Sequence, residues 1–401
     1  MGTIIALQKP DLSRHQEPGY ALPRRTDYTV EIVKSAYLKS DVGEWAIACG
    51  VAGALLSDSR ILGVCGTRAM GVFGAPVLFE ESHEAPGSAD IIYTLKDQNE
   101  LWKIADEATL RRIFIDGILL NLGFGELVWT LWDGKWRMRL IWRDPQYLRY
   151  DREEKKWYLQ VGNLGQEIEI RFGEGKWVAF RPFGDGSEGL WYPLSLLWIA
   201  KSFAQFDWGR RNEAIGRTAL IGSSPKNATK EQEQAFARDL QNLKDRIGMV
   251  IPNGWTLAAL DFGPGNHETF QRRIEMINTD YSILVLGQNL TTEVKGASLA
   301  AEKGHEIVRT DVKSQDETGW STFFRDQVLR VFSAVRFGSP EAAPWVRYQV
   351  QPKPTPAELA TTWKTAGEAL EKLAPLGIDT KAFAAAFGIP LSADAATVPR
   401  P

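Results

Sequence analysis

The stretch "LGQNLTTEVKGASLAAEKGHEIVRTDVKSQ" runs from Leu286 to Gln315. It opens as a polar loop and continues from Ala297 to about Arg336 without a proline. Such a run predicts one very long helix, about 60 Å if unbroken. Only Gly304 and Gly319 weaken it, and a break is expected near Gly319. A polar loop mounted on a long rigid rod sets the question that the neighbouring segments answer.

Upstream of the loop, Phe270, Ile274, Ile277, Tyr281 and Leu284 step by four, three, four and three. This heptad-like stripe predicts a helix over about 266–286 that packs against a second helix along its length. A matching helix is expected from about Pro193 to Gly216. Each would be about 30–36 Å long. Residues 218–264 lie between them as a compact module. "TALIGSS" reads as a strand, and Thr229 with Gln232 forms a capping box. The helix behind it carries Phe236, Leu240, Leu243 and Ile247 on one stripe, and Asn253-Gly254 reads as a hairpin turn. The module is therefore β-α-β-β, and the two long helices enter and leave it at one end.

The first 190 residues read as helices followed by strands, so the fold class is α+β. Residues 1–29 read as an extended arm, and 30–75 as helices, one of them capped by Asp41 with Trp45, Cys49, Ala52 and Leu56 at helical spacing. A further helix is expected from Glu107 to Leu122. Then the period changes to two. "ELVWTLW" and "WRMRLIWR" flank Asp133-Gly134, a strong hairpin signal. Short strands follow at "KWYLQV", "EIEIRF" and "KWVAFRP", and one more at "APWVRYQVQPKP". Thr355-Pro356 with Glu358 opens a helix to about Leu373, a short helix spans Thr380 to Phe387, and "LSADAATVPRP" reads as a disordered tail.

Composition narrows the function. The chain has 401 residues, 44% of them hydrophobic and 24% charged, with a net charge of −3, which excludes a basic nucleic-acid clamp. Two cysteines, Cys49 and Cys65, cannot build a disulfide framework and are expected as buried free thiols. The most apolar run, "GLWYPLSLLWIAKSFAQF", is broken by Lys201, Ser202 and Gln205 and is too short to span a bilayer. Fifteen tryptophans suggest stacking platforms, but their strand and helix spacing assigns most of them to the core. No complete catalytic motif is present: the Gly-Lys pairs of "DGKW" and "EGKW" lack the following hydroxyl residue, and no histidine begins H-E-x-x-H. The four histidines and two cysteines have no zinc spacing, and Asp311, Asp316 and Glu317 are expected on a solvated helix face. No cofactor or metal is called for, and no enzyme.

The order of these parts resembles the portal proteins of tailed bacteriophages, in the Mu-type branch. The resemblance covers about 30–390 and rests on three stretches: "DGSEGLWYPLSLLWIAKSF", "TALIGSSPKNATKEQEQAFARDLQNLKDRIGMVIPNGW" and "LVLGQNLTTEVKGASLAAEKGHEIVRTDV". It implies a dodecameric ring at one capsid vertex. Residues 30–190 and 300–352 would form a wing, 191–217 and 265–287 the two stem helices, and 218–264 a clip. Residues 288–299 would form a tunnel loop, and 353–401 a small helical crown with the tail. The implied partners are double-stranded DNA, a terminase, a head-tail adaptor, and major capsid and scaffold proteins, in the virion and without a membrane. Gln288, Asn289, Thr291, Thr292, Glu293, Val294, Lys295 and Gly296 would then face DNA, since short polar side chains touch phosphates without holding them. Lys230, Glu233, Arg238 and Lys244 would dock the motor, and Phe270, Ile274, Ile277 and Tyr281 would form stem contacts between subunits. Two other readings are a metal-dependent DNA-processing hydrolase and an oligomeric scaffold unrelated to phage.

Overall fold

The computed structural model describes residues 28–132, 134–161, 166–184, 188–216, 219–225, 227–242, 251, 253–260, 267–288, 299–350 and 356–373. They fall in two units, 1–350 and 351–401.

Three helices open the first unit: α1 (Val30–Asp41), α2 (Ala46–Leu55) and α3 (Ser59–Phe73). Thr29 caps α1 and Asp58 caps α3 through backbone amides of the first turn. Asp41 is not the cap of α2. It is the last residue of α1, and α2 begins behind Trp45 with no side-chain cap. Gly43 turns the chain between them at φ +95°, where the position of a β-carbon falls on the Tyr150 carbonyl oxygen. Any β-carbon there would collide with backbone, so only glycine fits.

β1 (Val77–Glu80), α4 (Ser88–Lys96), α5 (Glu100–Ile104) and α6 (Glu107–Leu120) follow. The expected hairpin forms as β2 (Gly123–Trp132) and β3 (Lys135–Trp142), with Trp132 opposite Lys135 across the two-residue turn. β4 (Leu148–Asp151), β5 (Lys156–Val161) and β6 (Gln166–Ile170) form one antiparallel sheet in that order. β7 (Trp177–Phe180) joins the free side of β2.

The long helix α7 (Trp191–Gly216) leads to β8 (Ala219–Ser223), α8 (Lys230–Asn242), β9 (Thr256–Leu260) and α9 (His267–Leu286). β8 pairs antiparallel with β9 from Ala219–Leu260 to Ser223–Thr256. Of the expected strand before Asn253-Gly254, Ile251 is described and is exposed, and the rest lies outside the described residues. The capping box of α8 is present: Thr229 N donates to Gln232 Oε1 at 3.0 Å, and Gln232 N to Thr229 Oγ1 at 3.4 Å.

The rod of the opening stretch is α10 (Leu299–Phe323), a wide π turn at Phe324–Leu329, and α11 (Arg330–Phe337). Gly319 does not break it. The helix continues through Gly319 and widens five residues later, where Phe324, Arg325, Val328 and Leu329 are all buried. β10 (Trp345–Tyr348) then pairs with β1. In the second unit, α12 (Pro356–Leu373) starts at the expected proline.

Two hydrophobic clusters fill the first unit. One joins α1, α2 and the start of α3 to β4–β7, α7 and the last turns of α9. The other joins the end of α3 and α4–α6 to β2, β3, β7, the π turn, α11 and β10. Trp320 sits at its centre, fully buried, with the rings of Phe73, Phe114, Phe180 and Phe323 at 5.1, 5.9, 5.0 and 5.1 Å. Cys65 is a buried free thiol, raised to about 12 by burial, and Cys49 is a half-buried free thiol. Among the described residues no single helix is long and apolar enough to cross a membrane.

Candidate functional site

The candidate site is the junction where α3, α7, α9 and α10 meet. Because α7 ends at β8, α9 begins after β9, and those strands pair, the two helices run antiparallel. Further along the pair, Lys201 Nζ of α7 stands 5.3 Å from the ring centre of Tyr281 on α9.

Lys201 is buried and ion-paired with Asp58, Nζ to Oδ2 at 2.7 Å. Asp58 also caps α3 by accepting from Arg60 N and Ile61 N at 2.8 and 3.3 Å. One carboxylate thus caps the start of α3 and neutralises Lys201 of α7. Arg60 donates to Ser282 Oγ on α9 at 3.0 Å, which completes the junction of three helices. Burial, and then the Asp58 charge, push the Tyr281 phenol well above its ordinary value.

Two residues expected at subunit contacts are internal. Ile277 and Tyr281 are fully buried within the single chain, in the cluster shared with α2 and α7. The heptad-like stripe is a helix-packing face, and within this chain its buried members pack against α2, α3 and α7. Phe270 and Ile274 are half-buried. The exposed apolar residues of the pair are others: Phe203 and Phe206 on α7, at 62% and 59% exposure, and Met276 and Ile283 on α9, at 49% and 48%. The first two are three apart and the second two seven apart, so each pair lies on one helix face.

The acidic residues of α10 also differ from expectation. Asp311 is exposed, but Asp316 and Glu317 are buried. Asp316 is held by the Arg68 fork at 2.8 and 2.9 Å. Glu317 Oε1 accepts from Ser321 Oγ at 2.6 Å and from Tyr348 N at 3.2 Å. Buried carboxylates need such partners, and these two spend theirs on holding α10 to α3 and β10.

Of the loop residues, Gln288 is described: it is buried, and its Oε1 has no hydrogen-bond partner among the described residues. Asn289, Thr291, Thr292, Glu293, Val294, Lys295 and Gly296 lie outside them. On α8, Lys230, Glu233 and Arg238 are exposed, and Lys244 lies outside the described residues. Phe236 is buried against Trp255, with ring centres 4.5 Å apart, and Glu233 accepts from Ser224 Oγ at 2.7 Å.

A second polar cluster lies in a cleft between α2, α6 and the 144–146 turn. Asp116 is buried there, accepting from Trp142 Nε1 at 2.7 Å and Arg112 Nε at 3.2 Å. Burial raises its pKa to about 6, against the lowering effects of Arg112 and Trp142. Burial likewise raises Asp144.

The fold as a whole is similar to that of a solved neck structure. The similarity is to the neck of an empty gene transfer agent particle computed with C6 symmetry, at TM-score 0.51 and 12% identity, over 85% of this chain and 94% of that one. It is a likeness of fold. Residues 51–389 match the family model described as the portal protein of Mu bacteriophage, and the chain belongs to that family. It is 29% identical over 229 residues to the Mu-like prophage FluMu protein gp29 of Haemophilus influenzae, covering 54% of this chain and 44% of that protein. It is 26% identical over 215 residues to the portal protein of Escherichia phage Mu, covering 50% of this chain and 40% of that protein. The chain thus spans less than half the length of these curated relatives.

Proposed function

We propose that this chain is a portal subunit that closes into a dodecameric ring and conducts double-stranded DNA, with no catalysis of its own. The observation that carries the reading is the antiparallel α7/α9 pair, which buries one face inside the subunit and exposes Phe203, Phe206, Met276 and Ile283 on others. Four such side chains on two helices of one subunit call for apolar cover. A head-to-tail ring supplies it, because each subunit offers two different faces to its neighbours.

In this reading, residues 288–296 line the channel, and Lys295 puts one cation per subunit beside the passing phosphates. A compact ammonium on a flexible stem touches DNA without gripping it, and a translocating polymer must leave every site it enters. The exposed charges Lys230, Glu233 and Arg238 on α8, with Lys244, form the docking surface for a terminase and later a head-tail adaptor. Major capsid and scaffold proteins surround the ring at one vertex of the virion.

Size-exclusion chromatography with light scattering, followed by negative-stain microscopy, tests the ring. Wild type is expected as a ring, and Phe203→Ser with Phe206→Ser as smaller species whose far-ultraviolet spectrum is unchanged. A monomeric wild type would overturn the reading. Lys295→Glu tests the channel separately. It is expected to leave the ring intact, because an exposed loop charge shifts stability by no more than about 0.5 kcal/mol. It should slow in vitro packaging most at low salt, where screening is weakest.

A further inference from the structure

Arg68 belongs to none of the segments assigned above to DNA or to a partner, yet it holds both mounts of the 289–298 segment. Its Nε and Nη2 donate to Asp316 Oδ2 and Oδ1 at 2.8 and 2.9 Å, and its Nη1 donates to the Val285 carbonyl at 2.8 Å. Val285 is in the last turn of α9, where the helix leaves its own carbonyls without partners. Asp316 is on α10, which begins where the segment ends. A single planar fork, carried by a third helix, therefore spans from the helix that precedes the segment to the helix that follows it.

Three features make this more than a surface ion pair. The side chains of Arg68 and Asp316 are 11% and 4% exposed, so water does not screen them. The bidentate geometry fixes direction as well as distance, which a lysine cannot do. Close by, the position of a β-carbon on Gly71 of α3 would be 3.1 Å from Lys313 Cε, so the Lys313 stem of α10 packs directly on α3. α3 itself is tied to α7 through Asp58 and Lys201.

We propose that Arg68 is a positioning residue for DNA passage: it sets the separation and angle between the end of α9 and α10, the two helices that flank the segment read above as the channel loop. This rests on the portal reading above. Arg68 touches no DNA; it acts through the two helices.

The test compares Arg68→Lys with Arg143→Lys, which weakens a similar pair with Glu126 in the β2–β3 sheet. Hydrogen exchange and in vitro packaging are measured on assembled rings. For Arg68→Lys, rings should form, amides of 284–288 and 311–317 should exchange about tenfold faster, and those of 320–332 should be unchanged. Packaging should fall several-fold for Arg68→Lys and stay near wild type for Arg143→Lys. If Arg68→Lys does not fold, Asp316→Glu, which keeps both charges and lengthens the bridge by one methylene, should give the same local signature. Wild-type exchange at both helices, or an equal packaging loss in Arg143→Lys, would overturn the inference. If wild-type protein forms no ring, the portal reading fails instead, while the exchange data still decide whether Arg68 holds the two helices.

Discussion

The side-chain amide of Gln327 bonds both backbone groups of Ala179: its Oε1 accepts from Ala179 N at 2.8 Å, and its Nε2 donates to Ala179 O at 3.1 Å. β7, which carries Ala179, is the edge of the sheet ordered β3-β2-β7. Gln327 thus stands where another strand would pair. An open buried edge would leave an N–H and a C=O without partners, and the π turn aims one side chain at both. Gln327→Met keeps the length and loses both bonds, and should lower stability by about 2–4 kcal/mol. Chemical denaturation checks this; a loss under about 0.5 kcal/mol, the size of an ordinary surface change, would remove this role.

Asp116 should make stability fall with rising pH over a defined window. Its folded pKa is raised to about 6 from 3.8, first by burial, so between those values the folded state binds the proton that the unfolded state has released. Its contribution is fully present below the unfolded value and is lost as pH rises through the folded one. The loss is on the order of 3 kcal/mol at full ionisation. Asp116→Asn keeps an acceptor for Trp142 and cannot titrate. Subtracting its unfolding free energies from those of wild type, from pH 4 to pH 7, should yield this slope, and a flat difference would refute it.

Ile277→Asp should fail as a folding defect and not as an assembly defect. The side chain is fully buried within one subunit, so the new carboxylate would be shut off from water. Expression should give little folded protein at any concentration. Folded Ile277→Asp monomers that only fail to form rings would show that the α7/α9 packing is misplaced.

The Lys201–Asp58 pair should show strong coupling. Removing one partner leaves the other charge buried, and each single change, Lys201→Met or Asp58→Asn, should cost about 3–5 kcal/mol. The double variant should cost clearly less than the sum, since the charges leave together. Additive losses in a double-mutant cycle would mean that the pair acts only as two separate side chains.

How much of this was legible in the sequence follows from how local each signal is. The hairpin closed by Trp132 and Lys135, the Thr229–Gln232 box and the Pro356 start each need only a few neighbouring residues, and they stand where the sequence puts them. The long helix was legible from the absence of proline, but its irregular turn was not. Gly319 looked weak, yet a glycine inside a helix costs only about 1 kcal/mol, while the widening at Phe324–Leu329 answers Ala179, some 148 residues away in the chain. Ile277 and Tyr281 show the same limit. Periodicity reveals that a face is buried but not whose surface buries it. Asp316 and Glu317 were read as solvated because Arg68 and Tyr348, which hold and shelter them, are distant in sequence.

The π turn also governs how this rod can change length. A π turn carries about one residue more than the α turn it replaces. Deleting one residue between Phe324 and Leu329 would return the turn to α geometry and leave the helices on both sides in phase. The same deletion within Leu299–Phe323 would rotate everything beyond it by about 100°, carrying Trp320 out of its ring of aromatic neighbours or Asp316 away from Arg68. The rod therefore has a single expansion joint, and Gln327, which bonds Ala179 from inside it, would lose its aim if that joint closed.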